Sequence, residues 1–393
     1  MKILGFCNVD FAQPWGDSVR VGGLMGGLAA RGHEIQVISS RPEFNISRPQ
    51  KTWMPQGGIR VHETMFGGWM RLPPPVDRPN SFVRRSCASL LMTRKAEELS
   101  AEWKFDACYA LMPGIASSLP AIRFSRKHCC KMVLDFPDLD VFIRPKAVSK
   151  FSVRNSDAVL VVSDFMRQVV KSYGAPEAKV HYVPNGVDPE MFGPEKARGE
   201  LAALLGSRKK VLYAGSLQDI DVLLGAAKLL AKRRPEVAFV VVGDNHLRGL
   251  TKEDWKSKAD RCGLGGSFLF TGKLPRERMP GLMAEADVCV ETMGDRPYFQ
   301  AAQPIKILEY MASGRPVVAP DLSGIRGVIK DGEDGFLARA GDSEDFANKI
   351  ERLLESEDLR RTLGANARSA VLKGFTWKKA AEALERVLET TAA

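Results

Sequence analysis

A lysine and a glutamate three residues apart, Lys306 and Glu309, lie within Gln303-Pro-Ile-Lys-Ile-Leu-Glu-Tyr-Met-Ala-Ser-Gly-Arg-Pro-Val-Val-Ala-Pro320. An ammonium pairs with phosphate, and a carboxylate accepts from both hydroxyls of a ribose, so the two together would hold a nucleoside diphosphate. Pro304 suits the first turn of a helix that Gly314 and Pro316 then end, and Val317 to Ala319 read as a strand behind it. A loop feeding a helix N-terminus offers backbone N–H groups, here those of the 302–305 stretch, to an anion. The same Lys and Glu also suit a plain surface ion pair at i and i+3, worth roughly a few tenths of a kcal/mol. On these residues alone the two readings stand side by side.

The surrounding elements decide what such a loop is attached to. Lys210 to Ala214, Val237 to Gly243, Ser267 to Thr271 and Asp287 to Glu291 read as strands, and residues 221 to 232 as a helix. Strands alternating with helices predict a parallel, doubly wound sheet. The first half has the same grammar. Lys2 to Phe6 is a strand, Val21, Leu24 and Leu28 mark one face of a helix, and Ile35 to Ser39 is the next strand, with Pro14 to Ser18 in the loop between. Further strands run from Met132 towards Asp135 and from Asp157 to Ser163, and helices fill the chain from Asp342 onward.

A dinucleotide-binding unit is the rival reading of the first half. There a Gly-x-Gly-x-x-Gly turn follows the first strand at once, whereas about nine residues separate Phe6 from Gly16 without that fingerprint. His33, at a helix-to-strand turn, reads as structural. Asp135 and Asp138 stand near the carboxyl end of a strand, where open α/β sheets bind ligands. Asp138-Leu-Asp140 also spells a metal-binding Asp-x-Asp, but in the half of the chain away from Lys306, so no metal is expected.

The 303–320 stretch resembles the donor-site signature of the GT-B glycosyltransferases, in particular the retaining family 4: a Glu, seven residues, a second Glu, then Met-Ala-x-Gly-x-Pro-Val-Val-Ala. Glu309 matches the second Glu, which in the family holds the ribose, and Ala301 stands where the first would be. Pro304-Ile305-Lys306 matches a subset that writes Pro-x-Lys, in which the lysine resembles a phosphate ligand. Counting back from Arg31-Gly-His, Gly16 falls on the second Gly of a loop that closes over the donor phosphates, with Trp15 replacing the first. After Gly215 most relatives carry Arg and Lys-Gly, whereas this chain has Ser216 and Asp219, which leaves Lys306 as the one cation placed on the phosphates. Gly272, Lys273 and Leu274 match a loop whose backbone frames the nucleobase. The resemblance implies Asp135 or Asp138 as the acceptor-side base, transfer with retention, and no cofactor beyond the sugar nucleotide, a UDP-sugar before a GDP-sugar. Gln303, Pro304, Ile305, Lys306 and Glu309 complete the donor-binding set. His181-Tyr-Val-Pro-Asn-Gly-Val-Asp resembles the family's domain-closing string, and Phe375-Thr-Trp377 matches a Phe-Ser-Trp before a last helix.

The expected architecture is therefore α/β, two Rossmann-like doubly wound domains facing across a cleft. Residues 1–194 would bind acceptor, 195–376 would bind donor, and 377–393 would form a helix crossing back to the first domain. At 393 residues and 45% hydrophobic content the chain supports two full cores. Seven cysteines without metal-ligand spacing suit reduced thiols in a cytoplasm, and no apolar run approaches the ~18 residues of a spanning helix. The net charge of +10 is concentrated: residues 51–150 hold 16 Lys/Arg against 9 Asp/Glu. Within 53–99, Trp53, Met65, Phe66, Trp69, Met70 and Leu72 stand among arginines, followed by Val83, Cys87, Leu90 and Leu91 at helical spacing. That mixture fits a peripheral contact with an anionic membrane surface on its inner face, or an amphipathic helix packed on the core. The expected partners are a sugar nucleotide and a glycan or lipid-linked acceptor, not nucleic acid. A soluble acceptor, a sugar-nucleotide epimerase of the same fold and a non-catalytic binder remain as alternatives.

Overall fold

The computed structural model describes residues 1–9, 11, 16–40, 58–64, 82–140, 146–217, 220–245 and 250–392. The expectations attached to Trp15, Trp53, the Met65 to Arg78 cluster and Asp219 fall outside those residues. Contacts divide the chain into two units, Met1–Asn185 with Trp377–Ala393, and Gly186–Thr376. The expected division stood at 194/195, but Val187 and Phe192 are buried in the apolar cluster of the second unit, which draws the break back to Asn185.

In the first unit the strands are β1 (Lys2–Cys7), β2 (Glu34–Ser40), β3 (Ile59–Thr64), β4 (Ala107–Leu111), β5 (Lys131–Asp135), β6 (Ala158–Val161) and β7 (Val180–Tyr182). They form a parallel sheet in the order β3-β2-β1-β4-β5-β6-β7. Runs such as Met132-Val-Leu134 and Ala158-Val-Leu-Val161 are buried throughout, as strands covered on both faces require. The helices are α1 (Gly16–Ala29), α2 (Phe82–Ser100), α3 (Ser118–His128), α4 (Lys146–Arg154) and α5 (Asp164–Ser172). Helix α1 begins at Gly16, inside the stretch read as loop, with Asp17 in its first turn, where a negative charge suits the helix dipole. Helix α2 turns Ser89, Met92 and Ala96 inward, whereas Phe82, Val83 and Leu90 are 69%, 40% and 64% exposed.

The second unit opens with α6 (Glu200–Leu205) and continues β8 (Lys209–Ala214), α7 (Ile220–Arg233), β9 (Val237–Val242), α8 (Lys252–Arg261), β10 (Phe268–Gly272), α9 (Met279–Ala284) and β11 (Val288–Val290). It then runs through α10 (Pro297–Ala301), α11 (Ile305–Ala312), β12 (Val317–Pro320), α12 (Ser323–Arg326), β13 (Phe336–Ala338), α13 (Ser343–Glu355) and α14 (Glu357–Gly374). The six strands are parallel in the order β10-β9-β8-β11-β12-β13. The chain works outward from β8 to one edge, then returns to build the other half from β11, so the order reverses between β8 and β11.

The last helix, α15 (Trp377–Ala392), belongs to the first unit. It lies on a glycine face of α1: a Cβ at Gly23 would stand 2.1 Å from Trp377 Cδ2, and one at Gly27 2.4 Å from Ala381 Cβ. Around this close approach Leu24, Leu28, Ala380, Leu384 and Leu388 are buried in one cluster. Glu385 ties the same helix to the turn after α1. Its carboxylate accepts from Arg31 and meets His33 Nε2 at 2.8 Å, which together hold its pKa down to about 2. His33 has the structural part expected of it.

Candidate active site

Open parallel sheets bind ligands outside the carboxyl ends of the strands where the strand order reverses. In the second unit that point is reached by Gly215, the residue after β8, and Glu291, the residue after β11, and the N-terminus of α11 stands over both. Lys306, in the first turn of α11, places Nζ 2.8 Å from Glu291 Oε2, 3.3 Å from the Tyr213 hydroxyl oxygen and 4.4 Å from the centre of the Tyr213 ring. The Tyr213 hydroxyl in turn donates to the Ser216 carbonyl.

Gly215 makes this approach feasible. Its φ of 143° is open to glycine, and a Cβ there would lie 2.7 Å from Lys306 Nζ. The buried Tyr310 hydroxyl accepts from the Ala214 N–H at 2.8 Å, fixing α11 against the end of β8. Burial works against a charge on Lys306, yet the Glu291 carboxylate more than offsets it, so the ammonium pKa stands above its ordinary value.

Glu309, one turn further along α11, is joined to Arg276: Nη2 donates to Oε1 at 2.6 Å, with side-chain exposures of 16% and 6%. The Arg276 guanidinium also lies 5.5 Å from the Phe192 ring. Lys306 and Glu309 are therefore not the surface ion pair that their spacing allowed, because each has its own partner from another element.

The residues expected to bind donor, Gly16 apart, belong to the second unit. Gly272 ends β10, and its carbonyl accepts from the Gly243 N–H. Lys273 is exposed, Leu274 is half-buried against the second unit's core, and the segment continues to Arg276 on Glu309. Ser216 is exposed, with Oγ 3.4 Å from Asn245 Oδ1. Pro304 stands just before the helix rather than in its first turn, with φ −65° and ψ 123°, and α11 begins at Ile305. Within the 302–305 stretch the Ala302 N–H is bonded to the Phe299 carbonyl and Pro304 has none, so fewer N–H groups face a ligand than the sequence suggested. Two further residues escaped the sequence reading. Arg276 is the partner of Glu309, and Glu291 lies fifteen positions before the lysine it pairs with. A carboxylate directly after the apolar Val288-Cys-Val290 was the signal for Glu291; nothing local marked Arg276.

Gly16, Asp135 and Asp138 belong to the first unit. Gly16 is the exposed first residue of α1. Asp135 is fully buried, and both its oxygens lie 2.7 Å from Arg20 nitrogens, while Oδ2 also accepts from the Tyr109 hydroxyl. Arg20 further donates to Asn185 Oδ1 at 2.9 Å and the Val183 carbonyl at 3.0 Å. A carboxylate so enclosed cannot meet an acceptor hydroxyl, so the expectation of Asp135 as base is corrected: it is the counter-ion of Arg20. Asp138 is half-buried and accepts the N–H of Leu139. Asp140 accepts from the Tyr173 hydroxyl at 2.9 Å, and burial with that bond pushes the phenol up to about 12.

Two doubly wound parallel-sheet units define the architecture, and the family models that match them define the class: the chain belongs to the glycosyltransferases of the GT-B fold. In particular, residues 16–191 match the Glycosyltransferase Family 4 model and residues 208–356 that of the glycosyl transferases group 1. A D-inositol 3-phosphate glycosyltransferase of Corynebacterium jeikeium is 30% identical over 251 residues, 60% of this chain and 58% of that relative. The chain thus spans little more than half of that protein. The enzyme of the same name from Xylanimonas cellulosilytica is 27% identical over 380 residues, covering 91% and 87%. Anabaena HepE, solved in complex with UDP, superposes with a TM-score of 0.74 over 99% of this chain and all of its own, at 20% identity, a likeness of fold.

Proposed function

We propose that the second unit binds a UDP-sugar, with Lys306 on the diphosphate, Glu309 on the ribose and Gly272 to Leu274 beside the base, and that the sugar passes with retention to an acceptor held by the first unit. The observation that carries this reading is the ammonium of Lys306 standing over Gly215 at the reversal point of the sheet, with a carboxylate one turn further along the same helix. Negative charge grows on the diphosphate as the glycosidic bond stretches. A cation already aimed at it stabilises that charge without a metal and contributes several kcal/mol, on the order of what one oxyanion-hole donor supplies. The acceptor hydroxyl loses its proton to a phosphate oxygen of the departing diphosphate or to Asp138.

The acceptor is a lipid-linked glycan, a reading supported by the exposed Phe82, Val83 and Leu90 beside Arg94 on α2, and by the basic excess of residues 51–150. Such a protein rests on the inner face of a membrane while its sheets stay in the cytoplasm. The D-inositol 3-phosphate relatives favour a second reading, a soluble phosphorylated polyol as acceptor. The test is binding and slow hydrolysis of a panel of UDP- and GDP-sugars, wild type beside Lys306→Ala, with products followed by NMR. One donor that saturates the wild type and is lost in the variant, releasing free sugar, supports the reading. Binding indifferent to Lys306 overturns it, and acceptor-free conversion to an epimer would make the enzyme an epimerase.

A further inference from the structure

Glu291 has no place in the donor-binding set, yet it holds the shortest polar contact to the lysine at its centre. It follows three apolar buried residues, its side chain is 2% exposed, and taking a carboxylate into such a place costs several kcal/mol before any pairing, to order of magnitude. That cost is offset by the Lys306 ammonium, so the carboxylate is there for the lysine.

Oε1 accepts the N–H of Thr292 at 3.0 Å, which fixes the carboxylate at the end of β11. Oε2 meets the Lys306 ammonium at 2.8 Å. The Lys306 side chain keeps 20% of its surface exposed while Glu291 keeps 2%, so the lysine is the member of the pair that solvent or a ligand reaches. Lys306 is thus oriented by an attraction that does not saturate its N–H groups. An anion arriving on the open side meets a pair whose charges sum to zero, with the negative member held in place.

We propose that Glu291 is a positioning residue that competes with the diphosphate for Lys306, holding the ammonium in register when the site is empty and weakening its grip on the nucleoside diphosphate left after transfer. Interactions that bind ground state, product and transition state alike do not raise turnover, and tight product retention lowers it. A counter-charge behind the lysine reduces the uniform part of the attraction. The charge that builds on the diphosphate during bond breaking still draws the ammonium forward. The inference rests on the donor-site reading above.

The experiment is calorimetric titration of UDP into wild type, Glu291→Gln and Lys306→Ala, with donor KM and kcat for each. Gln keeps the shape and the bond from Thr292 while removing the charge, and UDP is expected to bind about tenfold more tightly, with KM falling and kcat not rising. Unchanged or weaker UDP binding by Glu291→Gln overturns the inference, since a merely structural glutamate would move thermal stability and leave the affinity alone. If UDP binding survives Lys306→Ala, the donor-site reading fails first. If it is lost there and Glu291→Gln does not tighten, the inference alone fails. Should the Gln variant not fold, Glu291→Asp withdraws the charge by one methylene, with about threefold tightening expected and none overturning the inference.

Discussion

The two units each place an ion pair near the carboxyl ends of a parallel sheet, and the pairs are built differently. Arg20 and Asp135 are 2% and 0% exposed, joined by two bonds, and their remaining polar atoms are taken up by Tyr109, Asn185 and Val183. Lys306 and Glu291 share one contact and leave the lysine partly open. A buried pair with every group satisfied is a structural fixture, because nothing can replace its partners without exposing a charge to an apolar interior. A pair with one member open can exchange a partner for a ligand. Saturation, more than charge or position, separates the pillar from the site.

The severest way to break this contrast is Arg20→Met, which strands Asp135 in the first unit. A loss of about 3–5 kcal/mol is expected in urea unfolding, as for other buried pairs with one partner removed. Lys306→Ala attacks the open pair instead, and its main cost should fall on affinity: UDP binding weakened roughly 10- to 100-fold, the range of a charge-assisted hydrogen bond. A variant of Lys306 that loses as much stability as Arg20→Met while keeping its affinity would erase the distinction. Arg276→Ala sharpens the picture at Glu309. With its cation gone the carboxylate is less well aimed at a ribose, and donor KM should rise about threefold to tenfold with little change in kcat.

The smallest effect lies at Glu385, an accessible pair on α15. Its pKa is depressed from 4.5 to about 2, so its contribution is fully present above pH 4.5 and fades as the pH falls towards 2. Glu385→Gln should cost less than about 1 kcal/mol at neutral pH, and its stability should converge on that of the wild type near pH 2 in acid titrations followed by circular dichroism.

Much of this was legible in the order of residues. The buried runs and their spacing announced two parallel sheets, and Lys306 and Glu309 could be read as ligands for a nucleotide because their local context, a helix N-terminus after a loop, is written within a few positions. Their partners were not, since Glu291 and Arg276 reach α11 from other strand ends. Asp135 shows the same limit from the other side. A carboxylate at the carboxyl end of a strand is a fair candidate for chemistry until an arginine 115 residues earlier is found folded onto it. Helix α2 illustrates a third case: its Val83 and Leu90 keep helical spacing, but the inward face is carried by Met92 and Ala96, small or flexible residues that a hydrophobic pattern underrates.

The glycine face of α1 has a consequence for how the protein is made. Gly23 and Gly27 are shaped for Trp377 and Ala381, which the ribosome adds only after the whole second unit has been translated. Until then the nascent first unit carries Leu24 and Leu28 beside an uncovered notch. A chaperone binding there would have to let go before α15 arrives, and a chain cut short between Asn185 and Trp377 would carry all seven strands of its first sheet with that flank uncovered.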